Sequence, residues 1–316
     1  MQTMVTKTYY ALGTAVTLTV DDDHTASLSA GNQLIRDYED RLTVNRDGSE
    51  VMVVNHAAGD HPVAVTPSTY DLIKTALQVS RRQQGFNATI GPLVKLWHIG
   101  FTDARVPSDA AIRARLRRID PTQVSLDETQ HTVFLRQPGM ELDLGAIAKG
   151  DIADAVARLW RTQGVQRGII DLGGNLLVVG PGTHAGQWRL GIQSPEQARQ
   201  VSLGVLTTPA RSVVTSGIYE RHLQVNGHDY HHMFDSQTGY PIANNLASVT
   251  IVSPRSIDGE IWTTLGFYQG LQAGLALITA QPDIEGIFVT KDHRVAITPG
   301  LQDQFQLVDA GYRLEN

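Results

Sequence analysis

The stretch from Leu142 to Asp154, LDLGAIAKGDIAD, combines a carboxylate, two glycines and a lysine in an order that could bind a phosphate group. Its pattern is that of a strand, a glycine-rich turn and an amphipathic helix. Gly145 and Gly150 carry no Cβ atom, so main-chain N–H groups could approach phosphate oxygens closely. The order matches neither a P-loop nor a dinucleotide-binding turn. The residues alone therefore equally allow a helix packed on a strand through small side chains.

Glu260 and Thr264 stand four residues apart in SIDGEIWTTLGFYQGLQAGLALI, a segment with helical periodicity. Residues at this spacing share one helix face, so a carboxylate and a hydroxyl could offer two oxygens to a hard cation. A threonine within a helix usually bonds its own backbone instead. The spacing thus permits a cation site without requiring one.

Histidines are concentrated in RSVVTSGIYERHLQVNGHDYHHMFDSQTGYPI, where Asn226-Gly227 predicts a hairpin turn. A histidine on such a hairpin is usually solvated or hydrogen-bonded, but four in one segment could also bind zinc. His231 and His232 are adjacent and would point to opposite faces of a strand, which opposes a shared zinc site.

FNATIGPLVKLWHIGF, residues 86–101, mixes aromatic residues with a Gly-Pro pair and follows no clean period. An irregular aromatic segment can line the pocket of a flat ligand ring. More often such a segment is a loop that fills a hydrophobic core, and the segment by itself leaves both interpretations open.

Composition and charge limit the class of protein. The chain has 316 residues, a formal charge of −6, no cysteine and no run of lysine or arginine, which argues against disulfides, thiolate metal sites and nucleic-acid binding. No apolar stretch is long enough to span a membrane, and the N-terminus lacks the apolar core of a signal peptide. We therefore expect a soluble cytoplasmic protein, unless an export leader has been removed.

The predicted elements are mixed, which indicates an α+β fold. Residues 9–20 alternate like one strand, with Gly13 as a bulge or a point of close approach. Thr66 and Pro67 predict the start of a helix that ends before Gly85, and residues 123–136 predict a hairpin. We find no linker or internal repeat, so we treat residues 1–316 as a single domain.

Several blocks taken together resemble the ApbE family, the Mg-dependent FAD:protein FMN transferases. In chain order these blocks are ALGTAVTLTV, FNATIGPLVKLWHIG, DLGAIAKGDIAD, IIDLGGNLLVVG, SVVTSGIYER, HHMFDSQTGYP and SIDGEIWTTL. They run from about Leu12 to about Gly270. The resemblance implies a T-fold-like architecture of largely antiparallel sheets with flanking helices, and an FAD cleft between two sub-regions.

The resemblance also implies roles for individual residues. His232, in an H-x-x-D block that ends at Asp235, would be the catalytic base. Mg²⁺ would be held by the main-chain carbonyl of Ala146 and by the side chains of Glu260 and Thr264. The implied contacts to FAD are Leu12, Asn45, Gly85, Phe86, Asn87, Asp143, Lys149, Ser216, Gly217 and Phe234.

Two residues depart from the family pattern. Glu260 replaces the usual Asp and lengthens the ligand arm by one methylene, whereas Mg²⁺ requires oxygens at about 2.0–2.1 Å in near-octahedral order. Asn87 replaces an Asp and removes one charge from the implied flavin pocket. These substitutions affect the expected metal affinity and rate more than the expected fold.

The implied reaction moves FMN from FAD to a Thr or Ser hydroxyl of an acceptor flavoprotein and releases AMP. The acceptor motif implied by the family is of the D-x-x-[ST]-G-A-[ST] kind. Two alternatives use the same residues: an FAD pyrophosphatase, in which water replaces the protein hydroxyl, and a non-enzymatic FAD-binding protein.

Overall fold

A computed structural model describes residues 3–198 and 201–315, which form two compact units. The sheet unit draws its described residues from Met1–Glu39, Lys149–Gly217 and Asn244–Asn316. The helical unit consists of Asp40–Ala148 and Ile218–Ala243. That the 316 residues act as one domain stays a prediction.

The described strands are β1 (Met4–Ala11), β2 (Thr14–Asp21), β3 (Val63–Ala64), β4 (Val124–Asp127), β5 (Thr132–Leu135), β6 (Gly168–Asp171), β7 (Asn175–Val179), β8 (Trp188–Gln193), β9 (Ser202–Thr208), β10 (Ser212–Gly217), β11 (His222–Val225), β12 (His228–His231), β13 (Leu246–Ser253), β14 (Glu285–Thr290), β15 (Arg294–Ile297), β16 (Phe305–Leu307) and β17 (Arg313–Glu315). The α-helices are α1 (Thr25–Leu42), α2 (Glu50–His56), α3 (Pro67–Ser80), α4 (Gly91–Trp97), α5 (Asp109–Leu116), α6 (Ala148–Thr162) and α7 (Ser256–Thr279).

Nine of the described strands form the main sheet of the sheet unit, in the order β1-β2-β6-β7-β10-β13-β14-β15-β17. Every neighbouring pair is antiparallel except β15 and β17. This mixture of helices and largely antiparallel strands confirms the predicted α+β class.

The main sheet is covered on its two faces by different elements. Helix α7 packs on β10, β13 and β14, and its glycines allow close approach: a Cβ atom at Gly259 would lie 2.5 Å from the side chain of Val214. A core cluster joins other residues of the main sheet, such as Val213 and Val252, to Leu190 of β8, Leu206 of β9 and Phe305 of β16. Strands β8, β9 and β16 form a three-stranded sheet of their own.

The helical unit has a separate core around Trp97, at the end of α4. The indole ring is fully buried and lies within 5.8 Å, between ring centroids, of Tyr230, Phe234 and Tyr240. Its Nε1–H donates to the carbonyl oxygen of Gly239 at 3.0 Å. The irregular aromatic segment is therefore, in this part, a core-filling element.

The N-terminal strand prediction was wrong in one respect. Residues 9–20 are not one strand, because Leu12 and Gly13 form a two-residue turn between β1 and β2. Both residues have positive φ values, 55° and 70°, which suits the right-handed twist of a tight hairpin. Among the described residues, none of the helices is both long and apolar enough to cross a bilayer.

Candidate active site

Glu260 lies in the second turn of α7 and is only 5% exposed. The Asn175 side chain donates from Nδ2 to Glu260 Oε1 at 2.8 Å, and Asn175 Oδ1 accepts a hydrogen bond from the Ser256 hydroxyl at 2.7 Å. The buried carboxylate of Glu260 thus accepts a hydrogen bond from a neutral amide that β7 carries.

Burial raises the pKa of Glu260 above its usual value, while the charge of Lys149 and the Asn175 hydrogen bond oppose the shift. One turn later, Thr264 Oγ1 donates to the Glu260 carbonyl oxygen at 3.1 Å, so it bonds the backbone as expected for a helical threonine. The hydroxyl oxygen keeps its lone pairs. Glu260 and Thr264 therefore offer a carboxylate and a hydroxyl oxygen on one helix. A cation would stabilise the buried charge of the carboxylate, and oxygen donors of these two kinds fit Mg²⁺.

In residues 3–198 and 201–315 we find no group of three or more His, Asp or Glu side chains arranged to hold a metal ion. A hard cation at Glu260 would therefore need ligands of other kinds. Hydroxyl and main-chain carbonyl oxygens, as implied for Thr264 and Ala146, are suitable ligands for it.

Lys149, at the start of α6, reaches the loop that connects β6 and β7. Its Nζ donates to the Gly173 carbonyl oxygen at 3.2 Å, and Gly173 and Gly174 both have positive φ. A Cβ atom at Gly173 would lie 2.5 Å from Thr14 Oγ1, so the turn that carries Leu12 adjoins this loop. The structure thus brings Lys149, and Thr14 two residues after Leu12, to the same double-glycine loop.

Ser216 and Gly217 end β10, next to α7. The Ser216 hydroxyl donates to Thr263 Oγ1 at 2.9 Å, and Thr263 Oγ1 donates to the Glu260 carbonyl oxygen at 3.0 Å. Gly217 pairs with Ser248 of β13. Ser216 therefore lies within two hydrogen bonds of the helical turn that carries Glu260.

His232 directly follows β12 and is partly exposed. Its backbone N–H donates to the Arg221 carbonyl oxygen at 3.3 Å, and its Nδ1 lies 3.2 Å from the same oxygen. A carbonyl oxygen can only accept, so Nδ1 carries the hydrogen and Nε2 of the neutral ring keeps a lone pair. This tautomer suits a base that accepts a proton at Nε2.

His231 differs from its neighbour because both of its ring nitrogens are used within the fold. The ring is buried, Nε2 lies 3.0 Å from the Ile242 carbonyl oxygen, and Nδ1 accepts from the Met233 N–H at 3.3 Å. Asp235 likewise shapes the turn, since its carboxylate accepts from the Gln237 N–H at 2.8 Å and from the Thr238 hydroxyl at 3.1 Å. These two residues position the segment around His232.

Asp143 is half-buried and follows a short extended segment of the helical unit. Its N–H donates to the Ala88 carbonyl oxygen, and its Oδ1 accepts from the Gly145 N–H at 2.8 Å. Burial raises the pKa of Asp143, although the Gly145 hydrogen bond and the Arg221 charge oppose the shift. Ala146 is exposed in the turn before α6.

Several of the remaining residues predicted to contact FAD are buried or form hydrogen bonds within the helical unit. Asn87 Nδ2 donates to the Ile119 carbonyl oxygen at 2.8 Å, and its Oδ1 accepts from the Thr89 N–H and hydroxyl. Phe86 and Phe234 are buried, Gly85 has φ of 103°, and Asn45 lies on an exposed loop. A role for these residues in FAD binding stays a prediction.

Three partners of the predicted residues were missing from the sequence-based prediction: Asn175 and Ser256, which connect to Glu260, and the main-chain carbonyl of Arg221, which bonds His232. Asn175 is 85 residues from Glu260 in the chain, so no local spacing could pair them. The available signal was a polar residue at the start of an otherwise apolar strand, directly after two glycines.

Comparison with known proteins gives consistent results. A model of the ApbE family matches residues 12–288. A Klebsiella pneumoniae (strain 342) protein named FAD:protein FMN transferase is 46% identical over 304 residues, which cover 96% of this chain and 94% of that protein. A Treponema pallidum (strain Nichols) protein of the same name is 37% identical over 304 residues, with 92% and 84% covered. The crystal structure of the ApbE protein from Thermotoga maritima superimposes with a TM-score of 0.87 at 26% identity, covering 96% and 99%.

Proposed function

The chain belongs to the ApbE family, and on that basis we propose that it transfers FMN from FAD to a Thr or Ser hydroxyl of an acceptor flavoprotein. The hydroxyl oxygen forms a bond to the phosphorus atom of the FMN half. The P–O bond to the AMP half breaks and AMP leaves. The hydroxyl proton passes to the enzyme, and the product is a phosphoester.

The observation that supports this proposal best is the hydrogen bonding of His232. A hydroxyl is a poor nucleophile at neutral pH and needs a base. The contact from Nδ1 to the Arg221 carbonyl oxygen, 3.2 Å, favours the tautomer with the hydrogen on Nδ1, and we assign Nε2 as the atom that accepts that proton. The Arg221 carbonyl oxygen also accepts from the His232 N–H. The same oxygen therefore binds both the backbone and the ring of His232, which restricts the orientation of the ring.

We assign the Mg²⁺ ligands to the carboxylate of Glu260, the hydroxyl of Thr264 and the main-chain carbonyl of Ala146. When bound, Mg²⁺ would neutralise charge on the diphosphate and on the departing AMP. Glu260 brings a buried negative charge to that site, and Lys149, which bonds the Gly173 carbonyl oxygen at 3.2 Å, brings a positive charge toward phosphate oxygens. The FAD contacts are proposed as the resemblance implies them.

The test is incubation of the purified chain with FAD and Mg²⁺, with and without an acceptor flavoprotein domain that carries a D-x-x-[ST]-G-A-[ST] motif. We expect the acceptor mass to increase by one FMN phosphoester, with one AMP released for each modified acceptor. The matched control is the same acceptor with its target hydroxyl residue changed to Ala or Val.

Other outcomes would identify another activity. Release of AMP and free FMN without acceptor would indicate an FAD pyrophosphatase, because water would then be the nucleophile. Intact FAD that stays bound, with neither AMP nor modified acceptor, would indicate an FAD-binding protein. Either result contradicts the transferase proposal.

A further inference from the structure

Asn175 is the first residue of β7 and is fully buried. It pairs with Val214 of β10, whose side chain lies against Gly259 of α7. The carbonyl oxygen of Asn175 accepts from the Leu172 N–H at 2.8 Å. The carbonyl oxygen of Gly174, the residue before Asn175, accepts from the Thr215 N–H at 2.8 Å. The backbone that carries the amide is therefore fixed by the sheet and by the double-glycine loop.

The hydrogen bonds of Asn175 define which way its amide points. The Ser256 hydroxyl is buried and donates to Oδ1 at 2.7 Å, which leaves Nδ2 to donate to Glu260 Oε1 at 2.8 Å. An amide in this orientation stabilises an ionised carboxylate, because it presents a donor rather than an acceptor. This hydrogen bond uses one lone pair of Oε1, whereas Oε2 can share both of its lone pairs with a cation.

Ser256 is itself held at the beginning of α7. Its N–H donates to Asp154 Oδ1 at 2.8 Å, and the Ile257 N–H donates to Asp154 Oδ2 at 3.0 Å. The carboxylate of α6 thus binds the first turn of α7, where unpaired N–H groups need acceptors. The chain of contacts runs from Asp154 through Ser256 and Asn175 to Glu260.

We propose that Asn175 and Ser256 are positioning residues for the cation site: Ser256 orients the Asn175 amide, and Asn175 holds Oε1 of Glu260, which fixes the carboxylate that would bind Mg²⁺. The inference rests on the metal assignment of the proposed function. It adds to that function two residues to which the resemblance assigned no role. Outer hydrogen-bond partners of metal ligands commonly contribute to affinity in this way.

The test measures cation binding directly, with Mn²⁺ as the probe and electron paramagnetic resonance to count free Mn²⁺, in the presence and absence of FAD. For N175L, which keeps the approximate volume but removes both hydrogen bonds, we expect the Mn²⁺ dissociation constant to rise about 10- to 100-fold. For S256A, which removes a single oxygen, we expect a smaller rise of about 3- to 10-fold.

Ser253 provides a matched control. Its hydroxyl is also fully buried beside the start of α7, but it bonds the Arg255 carbonyl oxygen at 2.8 Å rather than Asn175. We expect S253A to bind Mn²⁺ within about 2-fold of the unmodified chain, since its lost hydrogen bond lies outside the chain of contacts. Circular dichroism would establish that each variant is folded.

If Ser256 acts by positioning, its substitution should change the Mg²⁺ dependence of the transfer rate but not kcat. For S256A, the Mg²⁺ concentration needed for half-maximal rate should rise by about the same factor as the Mn²⁺ dissociation constant, while kcat at saturating Mg²⁺ stays close to the original value. A general loss of structure would lower kcat at every Mg²⁺ concentration.

Four results would overturn the inference. The first is that folded N175L and S256A variants bind Mn²⁺ as tightly as the unmodified chain, and the second is an S253A defect as large as that of S256A. The third is an S256A variant that does not fold, and the fourth is that the unmodified chain binds no Mn²⁺ with or without FAD. The proposed function fails separately. If no FMN reaches the acceptor but the Mn²⁺ pattern holds, the positioning role stands and the transferase assignment does not.

Discussion

The backbone of Gly150 in α6 lies directly against the backbone of Ile257 in α7. A Cβ atom at position 150 would lie 2.6 Å from the Ile257 Cα atom and 2.6 Å from the Ser256 carbonyl oxygen. Both obstacles are backbone atoms, which cannot move aside as a flexible side chain could. The glycine at position 150 in the segment 142–154 is therefore explained by the packing of α6 against α7, close to the proposed cation site.

We expect Gly150→Ala to destabilise the chain by about 1–3 kcal/mol, because overpacked backbone contacts must separate. Urea unfolding measures the effect, and Mn²⁺ affinity should fall as the first turn of α7 shifts. Gly48→Ala is the control, since a Cβ atom there would meet nothing within 4 Å. Equal stability of the two variants would contradict the packing explanation.

His232→Ala should lower the rate of FMN transfer by about 10²- to 10⁴-fold, the usual contribution of a positioned base. FAD binding, followed by the change in flavin fluorescence, should persist. His228→Ala is a suitable control, because His228 is exposed on the same hairpin. Transfer at the original rate by the His232 variant would exclude it as the base.

Glu260→Gln should stabilise the metal-free chain at neutral pH. Burial raises the pKa of Glu260 above 4.5, so the folded state binds the proton more tightly than the unfolded chain does. Stability of the unmodified metal-free chain should therefore fall as pH rises from 4.5 through the folded-state pKa, and remain lower above it. Glutamine keeps the acceptor for Asn175 but carries no charge.

Thermal unfolding in the presence of a chelator measures this difference, which should vanish below the unfolded-state pKa, where both side chains are neutral. Added Mg²⁺ should raise the melting temperature of the unmodified chain but not that of the Gln variant, because only a carboxylate binds the ion strongly. A Gln variant that is less stable at neutral pH without metal would show that the carboxylate needs no cation.

Asn87→Asp should destabilise the helical unit by about 1–3 kcal/mol, although it restores the residue type usual in the family. The amide donates to the Ile119 carbonyl oxygen at 2.8 Å, and a carboxylate there would bring two acceptors together. Asn226→Asp is the control, since Asp-Gly also suits its hairpin turn. Urea unfolding of both variants tests the point, and unchanged stability of the Asn87→Asp variant would refute it.

Local signals predicted much of the secondary structure. Asn226 and Gly227 form the expected hairpin turn with φ values of 51° and 78°, and Thr66 and Pro67 begin α3 as predicted. The end of α3 was less accurate, because the helix stops at Ser80 rather than near Gly85. There the Ser80 hydroxyl bonds the Ala76 carbonyl oxygen and accepts from the Ala88 N–H, which redirects the chain.

The arrangement of the candidate site could be predicted only where a pattern is local. The four-residue spacing of Glu260 and Thr264 was enough to place them on one helix, and the structure confirms it. The side-chain partner of Glu260, Asn175, comes from a distant strand, and long-range pairing leaves no periodic signal in one sequence. The tautomer of His232 likewise depends on a carbonyl group, which every residue carries and no motif can mark.

Synthesis of this chain separates the components of the main sheet in time. Strand β2 leaves the ribosome well before its partner β6, and β10 precedes β13, its neighbour at the centre of the sheet. Such distant pairings fold slowly and leave strand edges exposed in the nascent chain. Asn175 is made 85 residues before Glu260, so the proposed cation site can form only after α7 has emerged. Uptake of Mn²⁺ at that site would therefore report that β7 and α7 have come together.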